Sequence, residues 1–193
     1  MKYYAVKKGR KTGIFTDWEI CREQVEGYSG AEYKSFAEKS AAEAYIKGEE
    51  TPQFNGTTAY VDGSFNVKTG EYAYGAVIFS GAETKKFSEK FSDPEMAEMR
   101  NVAGEIKGAE FVMRYCLEND IKSVKIVYDY VGIEAWAKGE WKTNKKGTAR
   151  YKEYYDSIKD KVFVQFEKVK GHSGDKYNDM ADKLAKNALG ITG

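Results

Sequence analysis

Apolar and polar positions alternate with the period of half-buried strands over Thr58 to Phe65, Tyr72 to Ser80 and Thr84 to Phe91, with a turn at Lys68-Thr69-Gly70. Three consecutive antiparallel strands are predicted. The period then changes: Val102, Ile106, Ala109, Met113 and Cys116 recur at helical spacing, which predicts one long helix from about Pro94 to Glu118. Val124 to Tyr128 is a short buried strand. A helix near Val131 to Lys138, a basic loop, a helix near Thr148 to Ile158, a strand Val162 to Val169 and a helix near Lys176 to Leu189 complete the chain. This order predicts a mixed five-stranded sheet flanked by helices.

Ahead of it lies a shorter pattern. Lys2 to Lys7 and Ile14-Phe15 read as paired strands around a Gly9 to Gly13 turn, and Asp17 caps a helix that places Trp18, Cys21 and Val25 on one face. After the Gly27 to Gly30 turn, Glu32 to Phe36 is a third strand, and Ser40 is expected to cap a second helix through Tyr45 and Ile46. The stretch 47 to 56 is polar and aperiodic and holds Pro52, so it reads as a linker. The expected organisation is a small three-stranded α/β domain over 1–47, a linker over 48–56 and a larger α/β domain over 57–193.

Composition excludes some classes. Apolar residues are 41% of the 193, aromatics 15%, and Pro numbers only 2, which suits a packed fold rather than disorder. No apolar run approaches the ~20 residues of a membrane helix. Lys+Arg 31 against Asp+Glu 30 leaves a net charge of +1, so a polyanionic partner must be met by a local patch. Cys21 and Cys116 sit in helical segments far apart and read as buried thiols. The first residues, Met-Lys-Tyr-Tyr-Ala-Val, carry no apolar signal core, and a cytoplasmic location and a monomer are the expectations.

Several carboxylates stand where a charge is costly or useful. Asp62 is mid-strand between Val61 and Gly63, where burial must be offset by a partner or a metal. Asp129 emerges at the carboxyl end of an apolar strand, the usual place for ligand groups in open α/β sheets. Glu105 lies on a core-facing helical stretch one turn after Asn101, and Asp182 one turn after Asn178. Taken singly, each also fits a solvated charge or a helix cap.

Taken together they resemble a family. Tyr60-Val61-Asp62-Gly63-Ser64, Asn101-Val102-Ala103-Gly104-Glu105, Val127-Tyr128-Asp129, and Gly171-His172-Ser173-Gly174 followed by Asn178 and Ala181-Asp182-Lys183-Leu184-Ala185 look like the successive motifs of type 1 ribonuclease H, in order over residues 58 to 190. The resemblance implies the ribonuclease H-like fold, with Asp62, Glu105, Asp129 and Asp182 holding two magnesium ions, manganese being possible in their place. Such hard oxygen donors suit Mg²⁺. It further implies endonucleolytic hydrolysis of the RNA strand of an RNA/DNA hybrid duplex, leaving 5′-phosphate and 3′-hydroxyl ends, with His172 assisting proton transfer or product release. Asn66 and Asn101 are candidate contacts to the hybrid. The alternative is a non-catalytic RNA/DNA or double-stranded RNA binder on a nuclease scaffold.

The first 46 residues resemble the hybrid-binding, viroplasmin-like domain found on many such enzymes, through Tyr4-Ala5-Val6-Lys7-Lys8-Gly9-Arg10-Lys11-Thr12-Gly13-Ile14, Trp18, Cys21, Val25 and Tyr33-Lys34-Ser35-Phe36. Carried over, Tyr4, Trp18, Tyr33 and Lys34 would face the duplex; Tyr4 and Trp18 also fit a small core. Departures from the family are Tyr130, where Ser or Thr is common, Ser35, where some members have lysine, and a shortened basic protrusion, Trp136 to Gly147. There Lys138, Lys142, Lys145 and Lys146 oppose only Glu140 within the loop, and Trp141 and Lys142 are candidate phosphate-edge contacts against the alternative of a solvated loop.

Overall fold

The computed structural model describes residues 2–36, 39–47, 56–81, 83–169 and 175–191, without the side chains of 40, 41 and 44. They fall into two compact units, Met1–Asn55 and Gly56–Gly193. Of the expected linker, only Gly56 lies among the described residues.

In the first unit, β1 (Tyr3–Lys8), β2 (Gly13–Phe15) and β3 (Glu32–Phe36) form an antiparallel sheet in the order β2-β1-β3. Asp17 caps α1 (Trp18–Val25), its side chain accepting from the backbone N–H groups of Glu19 and Ile20. The helix closes over one face of the sheet, burying Val6, Cys21 and Val25, with Tyr4, Phe15 and Ala31 packed against them. The second helix, α2 (Lys39–Lys47), already includes Ser40 and does not start behind it as its cap.

The second unit carries β4 (Thr57–Phe65), β5 (Tyr72–Ser80), β6 (Glu83–Phe91), β7 (Ser123–Tyr128) and β8 (Phe163–Lys168) in the order β6-β5-β4-β7-β8. The first three pair antiparallel, while β7 joins β4 and β8 joins β7 in parallel. This is the mixed sheet that the element order predicted.

The long helix expected over Pro94 to Glu118 is two helices. A short α3 (Pro94–Ala97), capped by Asp93, ends in a turn, and α4 (Asn101–Glu118) starts after Arg100, whose φ of 53° is left-handed. Side-chain spacing could not show this, because the break is a backbone reversal over Glu98, Met99 and Arg100, where Met99 still packs against the core and keeps the apolar pattern unbroken. Helix α4 covers one sheet face: Gly108 lies on Val61 and Tyr74, and Phe111 stacks on Tyr74 at 5.1 Å. Helix α7 (Lys176–Ala188) covers the other, where a Cβ on Gly75 would collide with the carbonyl oxygen of Ala181 and lie 2.8 Å from the nitrogen of Ala185. α5 (Gly132–Ala137) and α6 (Lys146–Ile158) complete the core, in which Tyr151 is fully buried with its hydroxyl donating to the carbonyl of Ile133. Cys21 and Cys116 are buried free thiols, and burial pushes Cys116 up to about 12.

Candidate metal centre and nucleic-acid surface

Strand register brings the first two carboxylates together. The parallel ladder of β4 and β7 ends at the pair Tyr60 and Val127, and Asp62 and Asp129 each follow two residues later. Neighbouring strands run about 4.8 Å apart, so equal steps past a common pair leave the two side chains side by side. The third comes from α4. A side chain at position 63 would occupy the ground on which Glu105 lies, since a Cβ there would be 3.0 Å from its Cγ. Glycine at 63 therefore lets Glu105 reach across β4. Oxygens of Asp62, Glu105 and Asp129 consequently lie within 4.8 Å of one another.

These groups are packed with few neutralising partners. Glu105 is 1% exposed; it accepts the backbone N–H of Tyr130, and its Oε2 has no hydrogen-bond partner among the described residues. Asp62 is 7% exposed and accepts the Gly63 N–H at 2.7 Å. Burial first, then the charge of Asp129, raises Asp62 to about 7; burial, then Asp129 and Asp62, raises Glu105 to about 9. An orphaned buried oxygen amid converging hard donors is a fit for a divalent cation such as Mg²⁺.

Asp182 stands apart from this trio. It lines the same cleft of about 360 Å³, together with Asn101, Arg100, Ser64 and Phe65, but its Oδ2 accepts from Lys186 Nζ at 2.7 Å. Lys186 and Arg100 were not among the candidates read from the sequence. The spacing of four between Asp182 and Lys186 was the signal for the first; nothing local distinguished Arg100. Asn66 sits in the β4–β5 turn, where its side chain accepts from the Lys68 N–H at 3.0 Å. His172 lies outside the described residues.

In the first unit, Trp18 lies between Tyr4 and Tyr33, with ring centroids 5.3 and 6.1 Å away. Trp18 and Tyr33 remain 39% and 46% exposed. Lys34 follows Tyr33 on the strand and so points to the opposite face, its ammonium 5.7 Å from the centre of the Phe36 ring. In the second unit, Tyr130, Trp136 and Trp141 form a ring triad around the start of the basic loop, with Trp141 exposed. The loop lysines are opposed by more than Glu140: Lys138 pairs with Glu134, Lys145 with Glu98 and Lys146 with Glu95. The helix break before α4 turns Glu95 and Glu98 toward the loop, which the sequence did not reveal.

Comparison with known proteins places both units. Residues 2–46 match the family described as the ribonuclease H1 N-terminal domain, and residues 55–190 match the RNase H family. A ribonuclease H of Clostridium botulinum is 30% identical over 123 residues, covering 61% of this chain and 82% of that protein. One from Saccharomyces cerevisiae is 39% identical over 61 residues, which are 32% of this chain and 18% of that protein. The crystal structure of RNase H1 from Halobacterium salinarum superposes with a TM-score of 0.58 at 19% identity, covering 70% of this chain and 98% of the other.

Proposed function

The chain belongs to the ribonuclease H family, and from that membership and the carboxylate geometry we propose that it hydrolyses the RNA strand of RNA/DNA hybrids. The observation that carries the reading is the convergence of Asp62, Glu105 and Asp129 around an unpartnered Glu105 oxygen. These three carboxylates, with Asp182 beside them, are the residues that would hold two magnesium ions. Bound there, the ions supply Lewis acidity to the phosphate and to a water.

The protein's own part is to hold and shape. Glu105 and Asp62 give up protons that burial otherwise retains, so binding of cations and loss of those protons are coupled. Tyr130 N–H orients Glu105, and Gly63 N–H orients Asp62. In the hydrolysis, water adds to phosphorus, the bond to the 3′ oxygen breaks and that oxygen takes up a proton. A 5′-phosphate and a 3′-hydroxyl result. Asn101, exposed on the cleft wall, is placed to meet the minor groove, where 2′-hydroxyls distinguish the RNA strand. The first unit adds grip on the duplex through Tyr4, Trp18 and Tyr33.

Digestion of matched RNA/DNA, RNA/RNA and DNA/DNA duplexes, each strand labelled in turn, with magnesium present, tests the reading. Cleavage confined to the RNA of the hybrid is expected. Binding of the hybrid without cleavage of either strand would move the chain to the class of non-catalytic hybrid-binding proteins.

A further inference from the structure

The cleft contains a cation of its own. Lys186 lines it together with Asp62, Asp129 and Asp182, and its ammonium is engaged by Asp182 at 2.7 Å. The pair is partly buried, at 18% exposure for the aspartate and 37% for the lysine side chain, so it is screened less than a surface pair. Asp182 precedes Lys186 by one helical turn, the orientation in which such a pair is favourable. Helix α7 is held close to the sheet at Gly75, so its backbone is fixed there and the pair can part only by rotation of the side chains. The carboxylates in and beside the cleft therefore stand in two different arrangements. Asp62, Glu105 and Asp129 converge with an orphaned oxygen among them, whereas Asp182 is already neutralised.

We propose that Lys186 is a built-in counter-ion that competes with a divalent cation for Asp182, so that metal loading is stepwise: one ion enters the Asp62, Glu105 and Asp129 trio, and a second gains Asp182 only by displacing the lysine ammonium. The inference rests on the divalent-cation reading of the site given above. Its physical content is a competition for one carboxylate. The ammonium supplies one positive charge at hydrogen-bond distance, and an entering ion must both break that pair and tolerate the displaced charge nearby. The lysine in turn keeps Asp182 oriented toward the cleft in the metal-free protein.

Binding of Mn²⁺ to the full chain, followed by loss of the free-ion electron paramagnetic resonance signal, reads this without substrate or turnover. The wild type is expected to show a tighter and a weaker class. Lys186→Met, close in length and uncharged, is expected to tighten the weaker class by about tenfold and to move the tighter class by less than about twofold. Lys186→Arg should retain the wild-type difference. In an Asp182→Asn background the effect of Lys186→Met should vanish, because the carboxylate they compete for is gone. Melting curves of each variant establish that it is folded. Lys183→Met, which removes an exposed charge from the same helix, controls for net charge. If Lys186→Met leaves both classes unchanged, or shifts both as Lys183→Met does, the competition is overturned while the cation site stands. If Asp129→Asn binds Mn²⁺ as the wild type does, the cation site itself is refuted and the competition with it.

Discussion

A Cβ on Gly63 would lie 2.5 Å from the backbone nitrogen of Glu105 and would collide with the carbonyl oxygen of Asn101. Strand β4 and helix α4 are thus in backbone contact where each contributes a carboxylate. The helix shows the same close approach from its own side, where a Cβ on Gly104 would be 2.9 Å from the Cα of Gly63. Gly63→Ala is expected to push α4 outward, costing about 1–3 kcal/mol of stability by overpacking. Urea unfolding measures the loss, and Mn²⁺ titration should show weaker binding at the trio. Full stability with undiminished metal affinity would show that the close approach is not required.

Asp129→Asn keeps the shape of the side chain and removes one charge from a site that must hold divalent cations. Cleavage should fall by at least about a hundredfold, which is roughly 2.7 kcal/mol of barrier. Hybrid affinity, measured by fluorescence anisotropy, should be retained. Turnover near the wild-type rate in that variant would remove Asp129 from the metal set.

Asp62 and Glu105 rise from their ordinary 3.8 and 4.5 to about 7 and about 9. In the metal-free fold they therefore keep protons that the unfolded chain has already released. The folded state binds more protons across that interval, so these groups contribute most below pH about 4 and their contribution is lost as pH rises. Up to about 7 both act, each with a slope approaching about 1.4 kcal/mol per pH unit, and from about 7 to 9 Glu105 acts alone. Without magnesium, the melting temperature of Glu105→Gln relative to wild type should climb between pH 5 and about 9. A constant difference would mean that Glu105 ionises normally. Added magnesium should stabilise the wild type more at the upper end, because the ions bind the deprotonated carboxylates.

Trp18 offers area rather than charge. Trp18→Ala, placed in an Asp129→Asn background to prevent digestion, should cost about 1–3 kcal/mol of hybrid affinity and leave the salt dependence nearly unchanged. Lys34→Ala should lower the slope of log affinity against log salt by about 0.9 if the lysine reaches a phosphate, and not at all if its place over Phe36 keeps it away. Titrations of the three proteins at several salt concentrations separate these contributions. Equal affinity for Trp18→Ala and its parent would assign the ring cluster to the core alone.

Much of the architecture was legible from period. Alternation identified β4, β5 and β6, an apolar run identified β7, and Asp129 at the end of that run was readable because a carboxylate after a buried strand has few other places to go. The Asp17 cap followed from local chemistry and holds in the structure. The break at Glu98 to Arg100 was not legible, since the positive φ at Arg100 is not one that any residue type there requires.

What the sequence by itself determined is the inventory: the strands and most helices, and four carboxylates, one mid-strand, one just past a strand end and one on each of two helices. These are local properties, written in spacing and residue type. Tertiary structure decided which of them meet. The equal steps from Tyr60 to Asp62 and from Val127 to Asp129 become proximity only once β4 and β7 pair in that register. Glu105 joins them only because position 63 has no side chain, and Asp182 remains with Lys186 although it lines the same cleft as Asp62 and Asp129. Lys34 likewise parts from Tyr33 because consecutive strand residues face opposite ways. Distances between residues remote in sequence depend on register and on helix stand-off, and no local pattern encodes either.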